Sequence, residues 1–491
     1  MLALGLRLVG LHDPIMDHPQ WRQGDTAAIA RNFAQLNFNI FYPQTDYDGP
    51  PPNYVQLELQ IVPYLAAIGY KIFGVHEIFG RLISIAFSLG TVVVVGYFGR
   101  WLFESALAGL IGALLYAIFP GSIYYGRTFM PDTAMTFFLT AALYASARTL
   151  AVAPQRGVPW REIGSAVLLA LAFLAKPVSL VAVVPILAVN YRRGSLLVIP
   201  GILALWLYLT FAGSHAEWHW ASGITKQHVL PGLTGAFTSL HAMAAKLGVF
   251  FVTIPGMLST TMLGPVGFGV ALFGFLIPLR SRSNALLYGW LIALALYAFV
   301  VVTVERVDYY LYPALPLAAL VGGMLLSHLA QVWSSLTAPL RNGFLAGALL
   351  ALVVAIGDNA AQIAPYYYYK RTVYLEARRL NALLAPDALV VMAHYDPSIL
   401  YYMQRKGWEE DPLLWTPFDE QSAIRKGSRY FIAVEENRFR KNAELYAWMQ
   451  RFPRLPNTGI WPVYETDYAK VLPGAEERWQ DFRRHEKAGK T

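Results

Sequence analysis

The sequence predicts a mainly α-helical, polytopic membrane protein with about eleven transmembrane helices and a small C-terminal α/β domain in water. Three observations lead there. Hydrophobic residues fill 56% of the 491 positions and charged residues only 14%, and mean hydropathy is positive, which excludes an ordinary soluble domain. Charge is unevenly spread: residues 1–362 hold 19 Lys and Arg and 14 Asp and Glu, whereas 363–491 hold 20 and 17. The long first part is also cut into apolar runs of roughly bilayer length. The net charge of +8 includes no basic run of the kind that binds nucleic acid, and the lack of cysteine excludes thiolate nucleophiles and Cys-held metals.

The apolar runs lie near 80–99, 105–123, 130–150, 163–175, 177–191, 195–213, 248–279, 284–304, 311–330 and 343–362. Lys176-Pro177 divides 163–191 into two shorter helices, because proline cannot continue the hydrogen-bond ladder. Pro255, Gly256, Gly264 and Pro265 predict a re-entrant piece within 248–279. Met1–Leu11 is too short to span and has neither the charged start nor the cleavage site of a signal peptide. The first helix is therefore expected to be unusually short, or to need residues ahead of Met1. The membrane domain is drawn as 1–364, including a first outer loop (13–79) with interfacial helices, and the water-facing domain as 365–491. In the latter, DALVVMA (387–393) and RYFIAVE (429–435) read as strands, with PSILYYMQRKG and NAELYAWMQRF as helices after them.

Alternate connections differ in charge. One set carries Arg100, Arg148, Arg156, Arg161, Arg192, Arg193, Arg280, Arg282 and Arg341, and the positive-inside rule makes it cytoplasmic. The first loop, the loop at 214–247 and the tail then lie outside. Of the 14 acids before residue 363, only Glu104 and Glu162 fall on the cytoplasmic side. The acids gather at one surface, and the candidate chemistry is sought there.

The outward loops supply it. Within and beyond WRQGDTAAIARNF (21–33), the segment from Asp25 to Leu36 reads as an amphipathic interfacial helix opened by Asp25, either an N-cap or a reagent; Ala28 leaves a capping box incomplete. DYDGPPPNYVQLELQ brings Tyr54 and Glu58. Arg127 and Asp132 flank a proline at a helix entry. Lys176 sits between apolar runs with no acid nearby in sequence, and an ammonium at membrane level needs a partner. VERVDYYLYPALP carries Glu305, Arg306 and Asp308 beside Tyr309 and Tyr310, more charge than an aromatic belt needs. His215, Glu217 and His219 alternate by two as ligands on an extended segment do, but a metal is disfavoured and no cofactor is called for. Acids and cations together at a lipid boundary suit the transfer of a group off a lipid-borne phosphate. Cations would neutralise the phosphate, and one carboxylate would position or deprotonate an acceptor hydroxyl.

In order along the chain, GDTAAIARNF, PPPNYVQLE, GVHEIFGR (Glu77 and Arg81), RTFMPD, AKP and DYYLYPALP make a set that resembles GT-C fold glycosyltransferases using polyprenyl-phosphate sugars. Within these, the set is most similar to the family 39 group of protein O-mannosyltransferases and lipid A aminoarabinose transferases, over roughly residues 12–320. The resemblance implies an inverting multi-pass enzyme of the cytoplasmic (inner) membrane with its site on the outer face. The donor would be a polyprenyl-phosphate-linked sugar and the acceptor a lipid, glycan or protein. It implies Asp25 and Asp132 as catalytic acids and Arg127, Lys176 and Arg306 on the donor phosphate. Tyr54, Glu58, Asp308, Tyr309 and Tyr310 are the candidate substrate contacts. Two positions depart from the family: Thr26 stands where a second acid often follows the first, and DYDGPPP lacks the lysine that aminoarabinose transferases carry before paired prolines.

The alternative from another class is a transporter or flippase for a lipid-linked sugar. Transporters put their sites near the midplane, often between inverted repeats. Here the polar residues gather at outer helix ends and no repeat stands out, which favours an enzyme.

Overall fold

The computed structural model describes residues 1–154, 157–277 and 281–488. Arg156 and Arg280, two of the cytoplasmic charges expected above, lie outside the described residues. The chain forms two compact units. One comprises Met1–Asp13, Gln56–His215 and His219–Tyr367, and the other Pro14–Val55, Ala216–Trp218 and Tyr368–Thr491. Most of the first outer loop, which the sequence reading grouped with the membrane part, thus clusters with the tail.

The first unit is helical. Among the described residues six helices are long and apolar enough to cross a membrane: Ile78–Leu102, Tyr191–His215, Leu240–Met262, Asn284–Glu305, Asp308–Trp333 and Ala338–Leu383. Shorter apolar helices, among them Ala106–Ile118 and Gly264–Leu276, accompany them. The solvent these helices are built for is legible in what they leave outside. Leu196, Ile199, Leu203, Trp206 and Leu207 are exposed along Tyr191–His215, as are Leu349, Leu350, Val353, Val354 and Ile356 further on. Water would penalise such stripes, while hydrocarbon does not. This is a multi-pass membrane protein.

Several breaks follow local chemistry. The Trp160–Ala175 helix ends at Lys176, whose backbone is extended, and Pro177–Ala182 continues as a 3-10 turn. Over the run at 248–279 the structure has two helices, Leu240–Met262 and Gly264–Leu276. Pro255 follows a π-helical turn at Val249–Thr253, which relieves the missing N–H. The chain then turns at Gly264 with φ +71°, where an added Cβ would stand 1.9 Å from Asn359 Oδ1. The first helix is short, Leu2–Arg7. Its buried Arg7 donates to Ser88 Oγ (2.8 Å), Ser122 Oγ (2.6 Å) and the carbonyls of Ala3 and Ala117, so an arginine among apolar helices keeps its hydrogen bonds.

Four of the connections expected to be cytoplasmic are tied together in two pairs. Arg193 reaches Glu162 (3.2 Å) and the Val152 and Thr149 carbonyls, and Arg282 pairs with Glu104 (2.8 Å). Asp132 and Lys176 lie at the opposite ends of the helices that carry Arg148 and Arg161.

The second unit holds a four-stranded sheet ordered β2-β1-β3-β4, with β1 Leu389–Met392, β2 Lys406–Glu409, β3 Ser428–Ile432 and β4 Val463–Glu465. β1 pairs in parallel with β2 and β3, and β4 runs antiparallel to β3. The strands expected at 387–393 and 429–435 are the central pair. β2 and β4 are too short to show a period in the sequence. Val391, Phe431, Phe439, Trp448 and Tyr464 make the core.

Glu420 lies wholly inside this unit and accepts from Trp415 Nε1 (2.8 Å). Burial, against that hydrogen bond and aided by Asp419, pushes its carboxyl up to about 8. Between the ordinary value of 4.5 and about 8, the folded chain keeps a proton that the unfolded chain releases. Stability therefore falls as pH rises across that window, by roughly 1 kcal/mol per pH unit. Glu420→Gln is expected to flatten the dependence and raise the unfolding temperature of the tail at pH 8. An unchanged pH profile in thermal unfolding would refute this.

Candidate active site

In the second unit, Asp25 is not the start of a helix. The helix is Gln20–Gln35, its N-cap is Pro19, and no side chain caps it. Gly24 is helical, so the N-cap reading of Asp25 is corrected: it lies in the second turn. Nor is the helix amphipathic and interfacial, since residues 23–33 are all buried. Asp25 is 1% exposed; its Oδ2 accepts from Arg22 (2.8 Å) and its Oδ1 from the Tyr47 hydroxyl (3.1 Å). Burial and then the Asp25 charge push the Tyr47 phenol well above its usual range, so Tyr47 stays a proton donor to that carboxylate. Thr26, the departure from the family pattern, bonds back to the Arg22 carbonyl (2.7 Å).

The helix runs against Pro397–Met403 of the same unit. A Cβ on Gly24 would stand 2.6 Å from the Ser398 backbone nitrogen and Cα. Glycine normally costs a helix about 1 kcal/mol against alanine, yet here alanine meets backbone that cannot rotate away. Gly24→Ala is expected to destabilise the unit by ~1–3 kcal/mol, as overpacking does. A neutral or raised unfolding temperature would mean the contact has slack.

Glu409, at the end of β2, was not singled out in the sequence. It is 1% exposed, and among the described residues neither carboxyl oxygen has a hydrogen-bond partner. Burial first, then Asp396, Asp48 and Asp25, push its carboxyl well above the usual range. Tyr54 also belongs to this unit, edge-on to Tyr42 with ring centroids 5.5 Å apart.

In the first unit, Asp132 is the first residue of Asp132–Leu150, 1% exposed, at the positive end of the helix dipole. Lys176 Nζ lies 2.7 Å from its Oδ1. The partner that a membrane-level ammonium requires is thus an acid 44 residues earlier in the chain. The same ammonium lies 5.4 and 5.1 Å from the ring centroids of Tyr309 and Tyr310, which stack on each other at 5.1 Å. Asp132, Lys176, Tyr309 and Tyr310 therefore come together.

Arg127 is fully buried. Its guanidinium lies 4.9 and 4.3 Å from the Tyr124 and Tyr367 ring centroids and donates to the Gly10 carbonyl (3.3 Å). Asp308 is gripped by hydroxyls that the sequence did not announce: Tyr125 (2.6 Å), Tyr366 (2.6 Å) and Thr261 (2.9 Å). Glu58 is buried, and its backbone carbonyl accepts from Tyr208 (3.3 Å). Arg306 is exposed and left-handed at φ 53°, and among the described residues its side chain makes one hydrogen bond, to the Thr303 carbonyl (3.4 Å). It does not join the Lys176 group. No set of three His, Asp or Glu side chains converges as metal ligands among the described residues.

Comparison with known proteins bears on this arrangement. Residues 60–212 match the model of the family described as dolichyl-phosphate-mannose-protein mannosyltransferase. No curated protein sequence matches the chain. Among solved structures the chain is similar to ArnT from Cupriavidus metallidurans bound to undecaprenyl phosphate, with TM-score 0.61 and 13% identity over 96% of this chain and 98% of that one. It is also similar to the oligosaccharyltransferase of Archaeoglobus fulgidus in its apo form, at TM-score 0.58 and 13% identity over 96% and 74%. AglB of the same organism, in complex with an inhibitory peptide and a dolichol-phosphate, matches at TM-score 0.53 and 13% identity over 96% and 74%. At such identities the likeness is one of fold, and the fold is the GT-C fold of membrane glycosyltransferases.

Proposed function

We propose that this GT-C-fold chain is an integral membrane glycosyltransferase. It moves a sugar, with inversion, from a polyprenyl-phosphate donor to a hydroxyl of a lipid, glycan or protein acceptor at the outer face of the cytoplasmic membrane. One observation carries the reading. An apolar groove of about 290 Å³ runs between helices of the first unit, lined by Phe250, Phe251, Leu258, Phe268, Leu291 and Tyr310. The Tyr310 ring that walls this groove is the ring beside Lys176. A hydrocarbon chain suits the groove, and a phosphate at its head suits the ammonium next to it. The undecaprenyl phosphate and dolichol-phosphate in the similar structures support the donor class.

In the reaction the bond from sugar C1 to the phosphate oxygen breaks and its electron pair leaves with the phosphate. The acceptor oxygen bonds C1 from the opposite face, and its proton passes to the Asp25 carboxylate. Lys176 offsets charge growing on the phosphate, with Arg127 as a further cation, and Asp132 holds Lys176 in place. Tyr309 and Tyr310 cover the phosphate, and Tyr54 and Glu58 contact the substrates. Asp308 acts by ordering Tyr125 and Tyr366.

The test is the purified protein in lipid vesicles with undecaprenyl-phosphate sugars labelled in mannose, glucose, galactose or aminoarabinose. Release or transfer of labelled sugar supports the reading. Movement of intact labelled lipid between leaflets without bond cleavage would replace it with the transporter.

A further inference from the structure

The tail touches the Asp25 helix through charge as well as through the Gly24 contact. β2 runs beside residues 46–49: Gly407 N–H donates to the Asp46 carbonyl (2.9 Å) and Gly49 N–H to the Gly407 carbonyl (2.8 Å). This backbone pairing brings Lys406 to Asp46 Oδ1 (3.0 Å) and Asn32 Oδ1 (2.8 Å). Asp46 is fully buried and also accepts from Arg31 and from Asn32 Nδ2 (3.0 Å). Asn32 Nδ2 continues to the Gln44 carbonyl (2.8 Å), and Arg31 to the Tyr401 carbonyl (2.7 Å), with its guanidinium 4.6 Å from the Tyr401 ring centroid. Burial by itself would raise the Asp46 carboxyl, but Arg31 and Lys406 outweigh it and hold it below the usual range, so it stays ionised.

The helix is therefore pinned at two places on one tail element, Gly24 at Ser398 and Arg31 at Tyr401. These points are two turns apart, and Asp25 adjoins the first. Arg31 and Asn32 are neighbours on the helix, so the Lys406–Asp46 network sets its rotation about its own axis as well as its distance from the tail. A carboxylate on the first turn beyond Gly24 inherits that rotation.

We propose that Lys406 is a positioning residue for Asp25: by closing the Arg31–Asp46–Asn32 network from the tail, it fixes the rotation of the Gln20–Gln35 helix and with it the direction of the Asp25 carboxylate. The consequence for catalysis rests on Asp25 being the base, as proposed above. The consequence for the helix does not.

Two readouts on the full-length protein separate these. Lys406→Met keeps the stem and removes the charge, Lys406→Arg restores a cation, and Lys441→Met is a surface control in the same unit. Amide exchange over residues 20–35 is expected to quicken about tenfold in Lys406→Met, to return in Lys406→Arg, and to stay put in the control. Exchange in β1 and β3 is expected to be unaffected. Turnover of the labelled undecaprenyl-phosphate sugar should lose kcat by roughly 10–100-fold with KM nearly constant, and Lys406→Arg should recover most of it. Unchanged exchange over 20–35, or faster exchange across the whole tail, overturns the clamp. Faster local exchange with wild-type kcat overturns its role in positioning. Absence of turnover in the wild-type protein instead removes the enzymatic reading, and the exchange results still decide the clamp.

Discussion

Asp25→Asn is expected to lower sugar transfer by about 10²–10⁴-fold, the range that a general base contributes, without unfolding the protein. The substitution keeps the size of a side chain that is 1% exposed and held at 2.8 Å by Arg22 and 3.1 Å by Tyr47. An amide can still accept from one of these donors, so the helix should persist, but it cannot take a proton from an acceptor hydroxyl. The check is transfer from labelled donor in vesicles beside thermal unfolding of the same preparation. Wild-type turnover in Asp25→Asn removes the base from this position altogether. Loss of turnover together with unfolding would show a structural acid.

Lys176→Ala is expected to weaken donor binding by about 2 kcal/mol or more, the cost of truncating one member of a buried charge contact. That is roughly a 30-fold rise in Kd. The structure adds a confounding effect. Asp132 would be left buried without its 2.7 Å cation, and an orphaned buried charge destabilises by about 3–5 kcal/mol. Lys176→Ala with Asp132→Asn separates the two, because the asparagine no longer needs the ammonium. The double variant should recover stability but not donor affinity if Lys176 binds phosphate. Recovery of both would make the pair purely structural. Measuring binding of undecaprenyl phosphate itself keeps the result independent of which sugar is transferred.

Much of the fold was legible because bilayers impose simple rules. Apolar length announced the spans, and Lys176-Pro177 announced its own break. DALVVMA and RYFIAVE showed their strands as short apolar, β-branched and aromatic runs within a charged tail. Pro255 does not end its helix, because a π turn precedes it. Asp25 was misread as a cap because it precedes a helical run and Asp is a favoured cap, whereas the helix begins at Gln20 and Gly24 within it approaches Ser398 closely.

The candidate site was legible as residue types and not as groups. Local sequence alone placed acids and cations at helix entries, since desolvation leaves charge few other positions in such a chain. It also set the membrane class, the order of the helices and the tail's central strands, all of which depend on residues close along the chain. Only the tertiary structure paired Lys176 with an acid 44 residues away, gave Asp308 its hydroxyls from Tyr125, Thr261 and Tyr366, and folded residues 14–55 with the tail through Lys406 and Asp46. Those contacts join positions from about 40 to 360 residues apart, and no periodicity or spacing encodes which buried charge will find which partner.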